Sequence, residues 1–130
     1  MKISGITVAL FVLISIAISG CLSGSNTPPA NLSLQQEKAE AGVTVTAKYL
    51  GDYAFQIKMD THSGSLDYEM ANVSYIRDSK GNIIKPEAWE GGIGGHHLSG
   101  TMKFPKFDDS AGFELVIENI AGVKERVFNW

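Results

Sequence analysis

The sequence predicts an all-β protein, an antiparallel sandwich of seven or eight strands. Three observations carry that expectation. From Asn31 onward apolar residues recur with period two, the spacing of a half-buried strand, and no sustained 3.6-residue pattern of a helix is present. The alternating runs are short, and turn residues separate them at intervals that suit hairpins. With no helical stretch between them, successive strands can pair only antiparallel, and two such sheets bury each other's apolar faces.

Taken in order, Leu32, Leu34 and Gln36 mark a first edge strand, which Ala41-Gly42 ends. Val43, Val45, Ala47 and Tyr49 alternate with Thr44, Thr46 and Lys48 until Gly51-Asp52 closes the run. Phe55, Ile57 and Met59 alternate with Gln56, Lys58 and Asp60 and give the clearest half-buried strand. Leu66 to Ala71 reads as a short helical turn rather than a strand. Asn72 to Arg77 is the next strand, with Val73 and Tyr75 set against Ser74 and Ile76. It enters Asp78-Ser79-Lys80-Gly81-Asn82, a turn in which Gly81 takes positive φ, and Ile83-Ile84-Lys85 returns. Leu98, Met102 and Phe104 share one parity, broken by Gly100, and Pro105 stops them. Phe113, Leu115 and Ile117 follow, and Ala121-Gly122 turns the chain into Arg126, Phe128 and Trp130. Strand number and spacing give the sandwich an immunoglobulin-like shape, although the Cys-Trp-Cys signature of antibody domains is absent.

Composition divides the 130 residues unevenly. Residues 1–20 hold 13 apolar side chains and a single charge, Lys2. With that segment set aside, ten basic groups face fourteen acidic ones, a net charge of −4. No basic patch is left to neutralise phosphates, so nucleic acid is not an expected partner. The order of Lys2, the apolar run Ile6 to Ile18, then Ser19 and Gly20 is that of a signal peptide. The only cysteine, Cys21, ends the segment, so neither an intrachain disulfide nor a CxxC site can form. The tetrapeptide Ile18-Ser19-Gly20-Cys21 resembles the prokaryotic lipobox, which implies that Cys21 is acylated and the leader removed. The other reading of the apolar run is an uncleaved membrane helix, near the lower length limit for spanning a bilayer. Both readings export the domain. Residues 21–30 are then a lipidated cysteine and a tether rich in Ser, Gly and Pro, and residues 31–130 the folded domain. The expected location is extracytoplasmic, on the periplasmic side or the cell surface, and the expected partners are the membrane through the lipid and an envelope protein.

All three histidines fall in two loop-like motifs, Asp60-Thr61-His62-Ser63-Gly64-Ser65 and Gly91-Gly92-Ile93-Gly94-Gly95-His96-His97. If these loops meet, His62 with His96 or His97, plus Asp60, Glu90 or a methionine, supplies three or four donors for zinc or copper. The alternative is that the histidines only brace loop backbone, because adjacent residues on a regular strand point to opposite faces. Trp89, set among glycines, either covers the end of the core or forms an exposed binding platform. There is no GxSxG, HExxH or Walker-type loop, so no catalytic residue is expected and the chain is not expected to be an enzyme.

The runs Asp60-Thr61-His62-Ser63, Gly94-Gly95-His96-His97-Leu98-Ser99-Gly100 and Arg126-Val127-Phe128-Asn129-Trp130, with Cys21 at the lipobox, resemble a group of small exported prokaryotic proteins. Many members of that group are lipoproteins, and they share a DTHS, GGHHxxG and RVFxW layout over most of residues 43–130. The resemblance implies an immunoglobulin-like exported domain and draws attention to the histidine loops. It names no ligand.

Overall fold

A computed structural model describes residues 34–130. The expected leader, Cys21 and tether lie outside the described residues. Among the described residues there is no helix. Nine strands form: β1 (Gln35–Glu40), β2 (Val43–Gly51), β3 (Ala54–Thr61), β4 (Ser74–Asp78), β5 (Ile83–Ile84), β6 (Ala88–Gly91), β7 (His97–Lys103), β8 (Phe113–Ile120) and β9 (Val123–Asn129). They build a five-stranded sheet in the order β1-β2-β3-β7-β6 and a four-stranded sheet in the order β5-β4-β8-β9. All pairings are antiparallel.

The period-two pattern becomes the core directly. Val43, Val45 and Ala47 on β2, and Phe55, Ile57 and Met59 on β3, face inward and are buried. Leu98 and Met102 on β7 extend that layer. Opposite them stand Ile76, Leu115, Ile117, Ile120 and Phe128 from the second sheet. Burying one such side chain contributes about 1.5–3 kcal/mol, so these faces rather than any crosslink hold the sandwich together. The Phe55 end of the core is aromatic. Phe55 meets Phe104 edge-on at 5.6 Å, and Trp130 stacks on Phe113 at 5.9 Å. Tyr49 stands against Phe113 at 5.3 Å.

Four readings of the sequence are corrected. The strand count is nine, not seven or eight, because Ala88–Gly91 pairs with β7 as an edge strand. Its glycines read as loop, yet they serve a close approach: a Cβ on Gly100, the register partner of Gly91, would stand 2.7 Å from the Trp89 ring. The first strand lies at a sheet edge and ends at Ala41-Gly42 as expected, but it begins at Gln35, and Leu34, read as part of it, stays out of the core. The five-stranded sheet has one strand more than the sheet it faces, and β1 is exposed at every position except Gln36, with Leu34 61% exposed just before it. On β4 the alternation is reversed. Ile76 and Ser74 face the core, paired with Leu115 and Ile117, while Tyr75 sits on the outer face opposite Val116. Tyr75 is still buried there, because Lys85 and Arg77 flank its ring at 5.1 and 5.8 Å. Finally, Leu66 to Ala71 forms neither a helix nor a strand. The chain crosses between sheets there, delivers Leu66 and Met70 to the core, and closes a turn in which Asn72 N–H donates to Glu69 O at 2.8 Å.

The Asp78–Asn82 turn forms as expected. Asp78 accepts from the backbone N–H groups of Lys80 and Asn82 at 2.9 and 2.8 Å, and Gly81 has φ 84°. The Asn82 amide and these backbone donors hold the Asp78 carboxyl below the usual carboxylate range.

Candidate functional site

The two histidine loops meet at the end of the sandwich where β3 finishes and β7 begins. Backbone bonds join them. Thr61 N–H donates to His96 O at 2.9 Å, Leu66 N–H to Gly95 O at 2.9 Å, and Gly94 N–H to Leu66 O at 3.0 Å. Gly95 N–H donates to Ser65 Oγ at 3.1 Å. Gly94 and Gly95 make this possible, since both take positive φ, at 83° and 78°. The buried Thr61 anchors the junction. Its single hydroxyl proton is shared between Ser63 O at 2.8 Å and Gly42 O at 3.1 Å, which ties the loops to the turn between β1 and β2.

His62, His96 and His97 are all exposed. Only one of them meets an acidic partner. Asp60 and His97 are register partners on β3 and β7, and His97 Nδ1 lies 2.5 Å from Asp60 Oδ1. With their side chains 51% and 78% exposed, the pair is solvated and contributes only about 0–1 kcal/mol to stability. Its chemical effect is orientation. The contact engages Nδ1 and fixes the ring, leaving Nε2 as the nitrogen the carboxylate does not meet, the arrangement by which a carboxylate orients a ligating histidine. The β3–β7 ladder runs from Ala54–Lys103 to Asp60–His97 without a register shift, so His97 keeps the strand's alternation and no bulge turns it toward His96. Among the described residues no three His, Cys, Asp or Glu side chains converge as a metal centre. The expected set of His62, His96, His97 and Asp60 is thus gathered by backbone onto one end of the molecule, while its side chains form a single pair.

Trp89 is partly buried and packs against the core. Its Nε1–H donates to Gly92 O at 3.0 Å, and its ring lies over Gly91 and Gly100. The indole covers the edge of the sandwich and keeps part of its surface open to solvent.

Sequence reasoning missed two polar groups. Arg126, on the inward parity of β9 with Phe128, is 1% exposed. It donates from Nη1 to Ile120 O at 2.9 Å and from Nη2 to Glu40 O at 2.7 Å, while Nε has no partner. Burial pushes its guanidinium below its ordinary value. The signal was available, because a charged residue two positions before a core phenylalanine on one strand must face the same way. The second group covers the outer face of the four-stranded sheet: Arg77 reaches Glu114 at 3.1 Å and Glu125 at 3.3 Å, and Tyr75 Oη donates to Glu125 at 3.0 Å. Nothing local in the sequence reveals that network, since it spans three strands.

Comparison with protein-family models, with curated proteins and with solved structures returns no match for this chain.

Proposed function

We propose that this chain is an extracytoplasmic lipoprotein, anchored through an acylated Cys21, whose folded part is an immunoglobulin-like module that binds an envelope protein. The observation that carries the reading is the order of the sequence: an apolar leader ending in Ile18-Ser19-Gly20-Cys21, a Ser/Gly/Pro tether, and then a strand-rich domain. Two acyl signals at one cysteine suffice for stable anchoring, at about 0.8 kcal/mol for each buried methylene. The immunoglobulin-like label is supported by strand order. With β1 set aside, β2-β3-β7-β6 against β5-β4-β8-β9 follows the order A-B-E-D against C′-C-F-G. The zippered loops at one end, with three exposed histidines, are where such a scaffold mounts recognition.

A second reading, a zinc or copper site at His62, His96 and His97, is favoured by one observation: four hydrogen bonds hold the two loops side by side, and the Asp60–His97 pair engages Nδ1 and not Nε2. Protein binding ranks first because the joined loops present a solvent-exposed surface at one end of the sandwich, with the histidines on it.

The test uses the full chain expressed in a lipoprotein-processing bacterium. Labelling with an alkyne fatty acid is expected to tag the wild type and not Cys21→Ser; equal labelling of both overturns the anchor. Titration of the detergent-extracted chain with Cu(II) and Zn(II), beside a His62→Ala, His96→Ala, His97→Ala variant, separates the two binding readings. Saturable binding lost in the triple variant establishes the metal reading, and equal uptake by both leaves the protein-binding one.

A further inference from the structure

We propose that β1 is an exchangeable strand, and that the partner it fits is β2 of a second copy of this chain. Three independent features of the β1–β2 hairpin lead there.

The first is strain. The hairpin closes through two residues, Ala41-Gly42, with Glu40 and Val43 as the flanking pair. Both turn residues take positive φ, 52° at Ala41 and 74° at Gly42. Glycine adopts that region freely, whereas a Cβ at Ala41 crowds the carbonyl, which is why Asn, Asp or Gly normally occupies the position. Opening the turn into extended chain releases that strain, and a short strained hinge favours exchange between copies.

The second is burial. The sequence Gln35-Gln36-Glu37-Lys38-Ala39-Glu40 places no side chain in the core, and only Gln36 is partly covered. Withdrawing β1 therefore uncovers backbone hydrogen-bonding groups of β2, lifts the Lys38 ammonium from the Phe128 ring 6.0 Å away and unpairs Arg126 from Glu40 O, but takes no side chain out of the core. An element with few buried apolar contacts is among the first to open.

The third is the nature of the bonds that fasten it. The Gln36 side chain receives the Asn129 N–H at 3.1 Å and donates to Asn129 O. Arg126 Nη2 donates to Glu40 O at 2.7 Å. With the six-pair ladder onto β2, these are the same bonds whether β1 belongs to its own copy or to a neighbour. The exchanged dimer regenerates them all and omits the strained turn, so only association entropy and the Thr61 bond to Gly42 O favour the closed monomer. The uncovered β2 edge is matched by β1 through Gln36, whose amide meets both the N–H and the O of Asn129, while Arg126 takes a backbone carbonyl from the same strand.

Glu37 and Thr46 are register partners with their side chains in contact, which makes a direct test possible. In the full chain extracted in detergent, Glu37→Cys with Thr46→Cys is oxidised and run without reductant. The closed form gives an intrachain bond and a monomer band; exchange gives a covalent dimer. Single-cysteine controls report any bond to Cys21. The expected result is a dimer fraction that grows with protein concentration, rises several-fold with Ala41→Val, whose branched side chain resists positive φ, and falls with Ala41→Asn, which tolerates it. Only monomer bands at every concentration overturn the proposal. So does a dimer by native mass whose disulfides are all intrachain, since it is joined by some other surface. If Ala41→Val does not fold, Ala41→Asn decides alone, and an unchanged dimer fraction overturns the role of the hinge.

Discussion

Two hairpins in this molecule turn through the same dipeptide at the same backbone angles and differ in almost everything else. Ala41-Gly42 joins β1 to β2 with φ 52° and 74°, and Ala121-Gly122 joins β8 to β9 with φ 51° and 76°. Both are two-residue connections with alanine where a left-handed residue is needed. Beyond the second turn, β9 sends Arg126 and Phe128 into the interior, both essentially without exposure. The strand on the free side of the first turn, β1, sends nothing there. A turn thus fixes how two strands register, and the burial beyond it decides how firmly they stay paired.

The comparison is broken most forcefully at Phe128. Phe128→Ala is expected to destabilise by about 3–5 kcal/mol, as loss of a buried aromatic does. Glu37→Ala on β1 is expected to shift stability by no more than about 0.5 kcal/mol, as exposed substitutions do. Equilibrium urea unfolding of the two variants measures both. If Glu37→Ala approached the effect of Phe128→Ala, β1 would be integral to the fold.

Next comes Arg126, which belongs to both hairpins. Arg126→Ala leaves the Ile120 carbonyl without its donor and removes the bond to Glu40 O, and a cost of about 1–3 kcal/mol is expected from the unpaired buried acceptor. Because one of those bonds holds β1, amide exchange in β1 is expected to accelerate more than in β9. Equal acceleration in both strands would mean that Arg126 serves the core alone.

How much of this was legible in the sequence follows the same division. The parity of β2 and β3 was plain, because each alternates apolar with polar residues and each buries one face, whereas Val116 is buried on the outer face of β8 and β9 sends Arg126 inward. β4 misled because Tyr75 and Ser74 carry the wrong polarity for their faces: Ser74 Oγ is buried without a partner, and Tyr75 is covered by cations on the outside. β6 was invisible for another reason. Glycine reads as turn, whereas Gly91 pairs with Gly100 to seat an indole, and only the long-range pairing of β6 with β7 gives those glycines a purpose. At the site, the sequence located both histidine loops. It could not reveal that Asp60 and His97 would be register partners, because that depends on β3 meeting β7 across thirty-six intervening residues.

A smaller effect isolates the turns themselves. Ala41→Gly and Ala121→Gly each relieve a left-handed alanine, and each adds backbone freedom to the unfolded chain. The net expectation is a gain of about 0.5–1 kcal/mol. It should be the same at both sites, measured by thermal unfolding in dilute solution. Unequal gains would show that the strand beyond the turn changes its strain.

The smallest effect at neutral pH becomes visible only in alkali. Tyr49 lies on β2 but packs against Phe113 and the terminal Trp130, so it joins the first hairpin to the strands of the second. Burial, and then the hydrogen bond its hydroxyl donates to Asp109 at 2.7 Å, push its pKa up to about 12. A phenol that ionises less readily folded than unfolded binds its proton more tightly in the native state. Its contribution is therefore complete below the unfolded value near 10 and is lost as pH rises from there through about 12. Tyr49→Phe removes the ionisation. The variant is expected to differ little from wild type at pH 7 and to lose less stability than wild type between about pH 10 and 12. Urea midpoints across that range make the measurement. Parallel profiles for the two proteins would mean that Tyr49 titrates alike folded and unfolded, and that its ring alone links the hairpins.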